Sequence, residues 1–219
     1  YGADFPRHLN GMFAFALHDL KRRKLILARD HTGIKPLYYA FTPERIVWGS
    51  EIKALLASGQ VPRELDVDAL AQFLSWEYVP GARTLLKAVN KLEPAHMIEF
   101  DLDRPSCTPR AYWDVPSAGR EIGSYAEWVE AVDAKVKQAV QRQLVSDVPL
   151  GAFLSGGIDS SIVVGVMAQL SNAPVKTFSI GFEEKRYDEL EYARMVARHF
   201  GTEHQEFIVR PNAVEIIPK

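Results

Sequence analysis

Val148-Pro-Leu-Gly-Ala-Phe-Leu-Ser-Gly-Gly-Ile-Asp-Ser-Ser161 decides how the second half of this chain folds. The apolar run Val148 to Leu154 has strand length, Ser155-Gly156-Gly157 leaves little side chain, and from Ser160 onward Ile162, Val163, Val166 and Met167 recur on one helical face. Strand, glycine pair and helix in that order let successive backbone N–H groups converge on an anion. The helix aims its positive end at the same place, and Ser160 and Ser161 add hydroxyl donors in its first turn. Phosphate suits such a place. Helix-end placement contributes only ~0.3–1 kcal/mol per charge, so nucleotide affinity requires several charge-assisted hydrogen bonds acting together.

Asp159 would repel phosphates unless a divalent cation lay between them, so Mg²⁺ is expected beside it. The bland alternative is a flexible Ser/Gly turn in which Asp159 merely favours the helix dipole; the ordered succession of strand, glycine pair, acid and helix argues against it. No Gly-Lys-Ser/Thr follows, so no lysine is positioned on the terminal phosphates, and cleavage between the α- and β-phosphates is the better reading.

Working outward, Val175 to Phe182 reads as the next strand, completing a βαβ unit. A helix capped by Asp188 and Glu191 follows, burying Leu190, Ala193, Val196, Ala197 and Phe200 and closing at Gly201, and then a strand from His204 to Val209. This pattern predicts a doubly wound parallel α/β sheet. Upstream, Ser124 and Glu127 form a capping-box pair ahead of a long helix whose Trp128, Val132, Val136 and Val140 predict one buried stripe. Pro105, Pro109 and Pro116 interrupt the chain between Asp101 and Gly123, which places a domain boundary near Trp113.

The first third reads as hairpins. Gly11 to His18 and Leu25 to Arg29 are apolar stretches separated by Lys21-Arg22-Arg23-Lys24, and Leu37 to Phe41 pairs with Arg45 to Trp48 across Thr42-Pro43-Glu44, continuing the sheet. Ser50 opens a short helix ending at Gly59; Asp66 caps another, in which Val67, Leu70, Phe73 and Leu74 share a face, and both helices are expected to pack on that sheet.

Composition narrows the function. The 219 residues are 47% apolar and 25% charged, and 26 Lys and Arg against 28 Asp and Glu leave a net charge of −2, no excess for holding a phosphate backbone. Nucleic acid is therefore an unpromising partner, and no apolar run approaches the roughly 18 residues needed to span a membrane. The single Cys107 forms no internal disulfide, which fits a reducing, cytoplasmic setting. Tyr1 in place of Met and the abrupt stop after Val209 to Lys219 suggest truncation at both ends.

Ser155-Gly-Gly-Ile-Asp-Ser-Ser161 resembles the signature of the ATP-pyrophosphatase domain of asparagine synthetases. Phe178-Ser-Ile-Gly-Phe182, Tyr187-Asp-Glu189, Tyr192-Ala193, Gly201-Thr202 and His204 follow the same pattern. Independently, Leu9-Asn-Gly-Met-Phe-Ala-Phe-Ala-Leu17, Arg29-Asp-His-Thr-Gly-Ile-Lys-Pro-Leu-Tyr-Tyr39 and Ser50-Glu-Ile-Lys-Ala-Leu55 resemble the later half of that family's glutaminase domain. The resemblance implies an α+β glutaminase sandwich of Ntn-hydrolase type, present in part over residues 1–113. A linker at 114–123 and the first part of an ATP-pyrophosphatase-type sheet at 124–219 would follow.

It further implies a two-site ligase of amino-acid biosynthesis. One site releases ammonia from glutamine; the other uses ATP and Mg²⁺ to adenylate a carboxylate, most readily aspartate, which ammonia attacks. Phe153, Leu154 and Ile180 are implied to contact adenine, with Ser155, Gly156, Gly157, Asp159, Ser160 and Ser161 on the phosphates. Met12, Ile34 and Phe153 are implied to touch an apolar passage, where burial would keep ammonia neutral. Taken singly, ordinary core packing is the preferred reading of Met12 and Ile34. Another acceptor (a sugar, peptide or lactam precursor), a non-catalytic nucleotide-binding module and a homodimer all stay open.

The departures matter equally. Such glutaminases use an amino-terminal cysteine, and this chain begins at Tyr1; Cys107, in the loop Pro105-Ser-Cys-Thr-Pro109, reads as a free thiol with no histidine beside it. The family's Arg-His-Arg-Gly, Asn-Gly-Glu and Gly-Asp segments are absent, so the chain alone is expected to be inactive. Leu92-Glu-Pro-Ala-His96 stands where glycine commonly precedes the histidine. No histidine shows metal-ligand spacing. The acids Glu183, Glu184, Asp188, Glu189 and Glu191 read as a solvated helix entry, and Lys21 to Lys24 as a hydrated turn.

Overall fold

The computed structural model describes residues 1–42, 44–116, 123–182 and 189–209. Asp188, proposed above as a helix cap, Glu183 and Glu184, and most of the linker lie outside the described residues. The chain divides into two compact units, Tyr1–Gly119 and Arg120–Lys219.

In the first unit a 3₁₀ turn, Gly2–His8, precedes the hairpin of β1 (Ala14–Asp19) and β2 (Lys24–Arg29), which pair antiparallel with Ala14 opposite Arg29. β3 (Tyr38–Thr42) and β4 (Arg45–Gly49) form the second expected hairpin. They do not continue the first sheet. β2 instead takes β6 (His96–Asp101) as its other neighbour, with β7 (Arg110–Ala111) beyond, while β3 pairs with β5 (Asn90–Lys91), giving two antiparallel sheets ordered β1-β2-β6-β7 and β4-β3-β5. The pairing of Lys24 with Asp101 closes a long loop that no local pattern encodes.

β2 explains how the unit is held together. Leu25 and Leu27 face Leu37 and Tyr39 of the second sheet's side, along with Leu92, Ile98 and Phe100. The alternate residues Ile26 and Ala28 pack instead with Met97, Tyr112 and Ala95, beside Phe5, Phe13 and Phe15. A period of two with apolar residues at every position marks a strand buried on both faces.

α1 (Ile52–Ala57) covers the outer side of β3 and β4 through Leu55, Ala40, Val61 and Val89. It starts after Glu51, not Ser50, and Gly59 lies just past its end with φ +67°. α2 (Val67–Trp76) is capped as expected, the Asp66 carboxylate accepting from the Ala69 amide at 3.0 Å. Its expected packing fails: Val67, Phe73 and Leu74 are exposed, and Ala69 is the buried residue.

In the second unit α3 (Tyr125–Gln143) begins with the capping box, Ser124 Oγ accepting from the Glu127 amide and the Ser124 amide donating to Glu127 Oε2 at 2.7 Å. Its stripe is buried only toward the end, where Val136 and Val140 meet Val166, Met167 and Val175; Trp128 and Val132 are exposed. β8 is short, Gly151–Phe153, because Pro149 has no amide to give a ladder and Val148 stays exposed.

α4 runs Ile158–Leu170, β9 Lys176–Phe182, α5 Leu190–Phe200 and β10 Glu203–Val209. α4 starts two residues before the predicted Ser160 and buries Val164 to Met167, leaving Ile162 and Val163 exposed. The sheet is wholly parallel in the order β10-β9-β8. Successive strands step one way, so right-handed crossovers bring both helices to one face. Val164 of α4 accordingly packs with Ala193 and Ala197 of α5 over Leu154. The order reversal that defines double winding is not reached among the described residues. Gly201, left-handed at φ +62°, ends α5, with the Thr202 amide donating back to the Ala197 carbonyl at 3.0 Å.

Candidate functional site

Parallel sheets present their ligand-binding crevice at the carboxyl ends of the strands, and the loop Leu154–Gly157 leaves β8 at that edge. Leu154 is buried; its amide donates to the Phe178 carbonyl at 2.8 Å and its carbonyl accepts from the Ser179 hydroxyl, which pins the loop's first residue to β9. Gly156 then takes φ +83°, and a Cβ there would lie 2.5 Å from the backbone carbonyl carbon of Tyr192. Glycine is needed twice over, for the left-handed turn and for the close approach of α5.

α4 starts without a side-chain cap, since Gly157 occupies the N-cap position. The first-turn amides of an α-helix have no intrahelical partner, so this end offers donors to an incoming anion. Asp159, in that first turn, is exposed. The hydroxyls behave differently from expectation. Ser160 Oγ and Ser161 Oγ both donate to the Gly157 carbonyl, at 3.2 and 2.7 Å, and Ser155 Oγ lies 3.0 Å from Ser160 Oγ. Ser160 Oγ and Ser155 Oγ also accept, each at 3.3 Å, from the Ser155 and Gly157 amides, so the hydroxyls rigidify the turn and the first-turn amides of α4 are the donors left for an anion.

Two recesses flank the loop. One of about 330 Å³ is lined by Phe153, Leu154, Ser155, Ser160 and Ile180 together with Phe178, Ser179, Phe182, Glu189, Leu190 and Ala193. Five residues singled out from the sequence thus line one recess. A second, of about 460 Å³, lies along α4 and α5 and takes in Gly156 and Ser161 with apolar neighbours such as Ile162 and Phe200. Gly157 and Asp159 line neither. The first recess carries the mixed apolar walls and polar groups of a ligand site, and its Glu189, read from sequence as part of a solvated acidic face, is exposed as that reading expects while also lining the recess.

In the first unit, Asp30 is 1% exposed and lies at the hub of the loop that follows β2. Its carboxylate accepts from the amides of Phe13, Thr32, Ile34 and Lys35, the last two at 2.9 Å. Burial pushes its pKa up, but these backbone donors outweigh it and hold the carboxyl below its ordinary value. Arg29 closes the same loop, donating to the carbonyls of Gly33, Lys35 and Leu92. Met12 and Ile34 are not core residues: they are 46% and 56% exposed, and Phe153 of the other unit is 77% exposed. Cys107 packs partly against the Leu25 cluster, where burial pushes its thiol up to about 11, well away from an activated nucleophile.

Residues 1–113 match the family Glutamine amidotransferase domain and residues 131–219 the family Asparagine synthase. The chain belongs to the asparagine synthetase-like amidotransferase family. Among relatives of this family, it is 35% identical over 217 residues to the putative asparagine synthetase [glutamine-hydrolyzing] 2 of Methanocaldococcus jannaschii, covering 98% of this chain and 42% of that protein. It is 35% identical to asparagine synthetase [glutamine-hydrolyzing] 3 of Bacillus subtilis, covering 94% of this chain and 36% of the relative. It is 36% identical to amidase chyE of Penicillium rubens, covering 93% and 32%. The chain thus spans well under half the length of these relatives.

Among the described residues of this asparagine synthetase-like chain, no group of three or more His, Cys, Asp or Glu could hold a metal ion, and no helix is long and apolar enough to cross a membrane. The Arg29–Asp30 latch and Glu189 were the functional-looking features that sequence reasoning passed over. Asp30 was visible only inside a quoted motif, and Glu189 only inside the motif Tyr187-Asp-Glu189 and as one acid among five.

Proposed function

We propose that the intact protein hydrolyses glutamine and uses ATP to convert a carboxylate to an amide, with aspartate as the acceptor and asparagine as the product. On this reading residues 1–113 are the later part of a class II, Ntn-type glutaminase domain, 114–123 a linker, and 124–219 the first part of the ATP-pyrophosphatase domain. The observation that carries it is the glycine turn leading into the uncapped start of α4, beside a recess with apolar walls at the carboxyl edge of a parallel sheet.

The residues fit a nucleotide. Phe153, Phe178 and Ile180 supply apolar surface for a base, Leu154 is the buried residue that anchors the loop beside it, and the α4 amides supply donors for the phosphates. Asp159 is free in solvent to meet a cation, and one carboxylate plus substrate phosphates is the usual ligand set of Mg²⁺. Bound there, Mg²⁺ would neutralise charge on the leaving pyrophosphate. The acceptor's carboxylate oxygen attacks the α-phosphorus and pyrophosphate departs. Ammonia then attacks the acyl carbon, loses a proton, and AMP leaves with the oxygen.

The acceptor has a second reading, a carboxylate other than aspartate (a sugar, peptide or lactam precursor), favoured by relatives whose names are amidases rather than asparagine synthetases. The nucleotide half of the proposal is tested by Asp159→Ala in the intact protein. ATP-dependent pyrophosphate release is expected to be abolished with glutamine hydrolysis spared. Unchanged pyrophosphate release would remove Asp159 from the metal role.

A further inference from the structure

Glu189 is the charged side chain among the described residues that line the recess beside the loop; the others are apolar, or are serines already bonded within the chain. It occupies the N-cap position of α5, yet its side chain makes no capping hydrogen bond there. The residue is held by its backbone instead, its carbonyl accepting from the Ala193 amide at 3.2 Å. Glu189 is exposed, and because an ionised carboxylate is acceptor only, any ligand group that it binds must be a donor.

Resting on the nucleotide reading above, we propose that Glu189 binds the ribose hydroxyls of ATP and so selects ribonucleotides over deoxyribonucleotides. The other parts of the ligand are unsuitable. The phosphates offer no donor and repel the acid. The base is matched by Phe153, Phe178, Ile180 and Phe182, whose surfaces are apolar. The vicinal diol remains, and its two O–H donors match the two carboxylate oxygens in a charge-assisted pair. An acid beside the phosphate-binding turn reads the sugar in the same way in dinucleotide folds. A role as a second cation ligand is disfavoured because Asp159 does not line this recess.

The intact protein and its Glu189→Ala and Glu189→Gln variants would be titrated calorimetrically with Mg-ATP and with Mg-2′-deoxy-ATP, with thermal melting as the check on folding. Wild-type protein is expected to favour ATP by about tenfold or more, the worth of one hydrogen bond to a charged acceptor. That ratio falls toward one in Glu189→Ala and part of the way in Glu189→Gln, which keeps the shape and one acceptor even if the alanine variant fails to fold. A wild-type ratio near one overturns the inference, as does a ratio unchanged in a variant that still binds ATP. Weaker ATP binding with the ratio intact, restored by excess Mg²⁺, also overturns it and makes Glu189 a cation ligand. Failure of wild-type protein to take up either nucleotide refutes the nucleotide reading itself.

Discussion

Asp30 directly follows β2 and Asp159 lies in the first turn of the helix that follows β8, each with a left-handed glycine close by, Gly33 at φ +69° and Gly156 at φ +83°. In the first loop the acid turns inward and receives four backbone amides of its own unit; in the second it stays in solvent at the start of an uncapped helix. The same residue type therefore serves as a lock in one place and remains available as a ligand in the other. What separates them is where the neighbouring amides find their acceptor. The first loop spends four amides on its own carboxylate, whereas the second satisfies the Ser155 and Gly157 amides through serine hydroxyls and leaves the first-turn amides of α4 without a side-chain cap, the arrangement on which the proposed anion site rests.

The largest effect that could break this contrast is at Asp30. Asp30→Ala removes the acceptor of four part-buried amides and is expected to cost about 2–4 kcal/mol of unfolding free energy, read from urea denaturation. A loss under about 1 kcal/mol would show that the loop holds without its carboxylate. The pH dependence follows from the direction of the shift. Because the folded pKa lies below the unfolded one, this stability is fully present above about pH 4 and is lost as pH falls through the folded value. The variant should accordingly show a shallower acid limb than wild type.

Gly156 sharpens the other side of the contrast. Gly156→Ala meets both a left-handed backbone and the α5 chain at Tyr192, so it is expected to cost about 2 kcal/mol. Nucleotide affinity should fall by more than that loss of stability accounts for, because the turn that aims the amides is displaced. Equal affinity by titration would mean that the turn's shape does not matter for binding.

The two units were unequally legible in the sequence. The β8-α4-β9-α5-β10 series could be read because each element follows its neighbour in the chain, down to Gly201 at the end of α5. The first unit's division into two sheets could not, since it depends on β2 choosing β6 rather than β3. Helical spacing of apolar residues was also misleading in α2 and in the first half of α3, where Val67, Leu74, Trp128 and Val132 are exposed. Periodicity establishes that a face is apolar but carries no information about what lies against it. At the site, the loop announced itself through composition. The internal bonding of Ser160 and Ser161 and the place of Glu189 on the recess wall depend on geometry that spacing does not express.

Direct calorimetric titration of the intact protein with Mg-ATP tests the open loop most simply. Saturable uptake of one nucleotide per chain, weakened by Asp159→Ala and by removal of Mg²⁺, is expected if the start of α4 receives the phosphates. The absence of any uptake, with the protein folded by thermal melting, would contradict it.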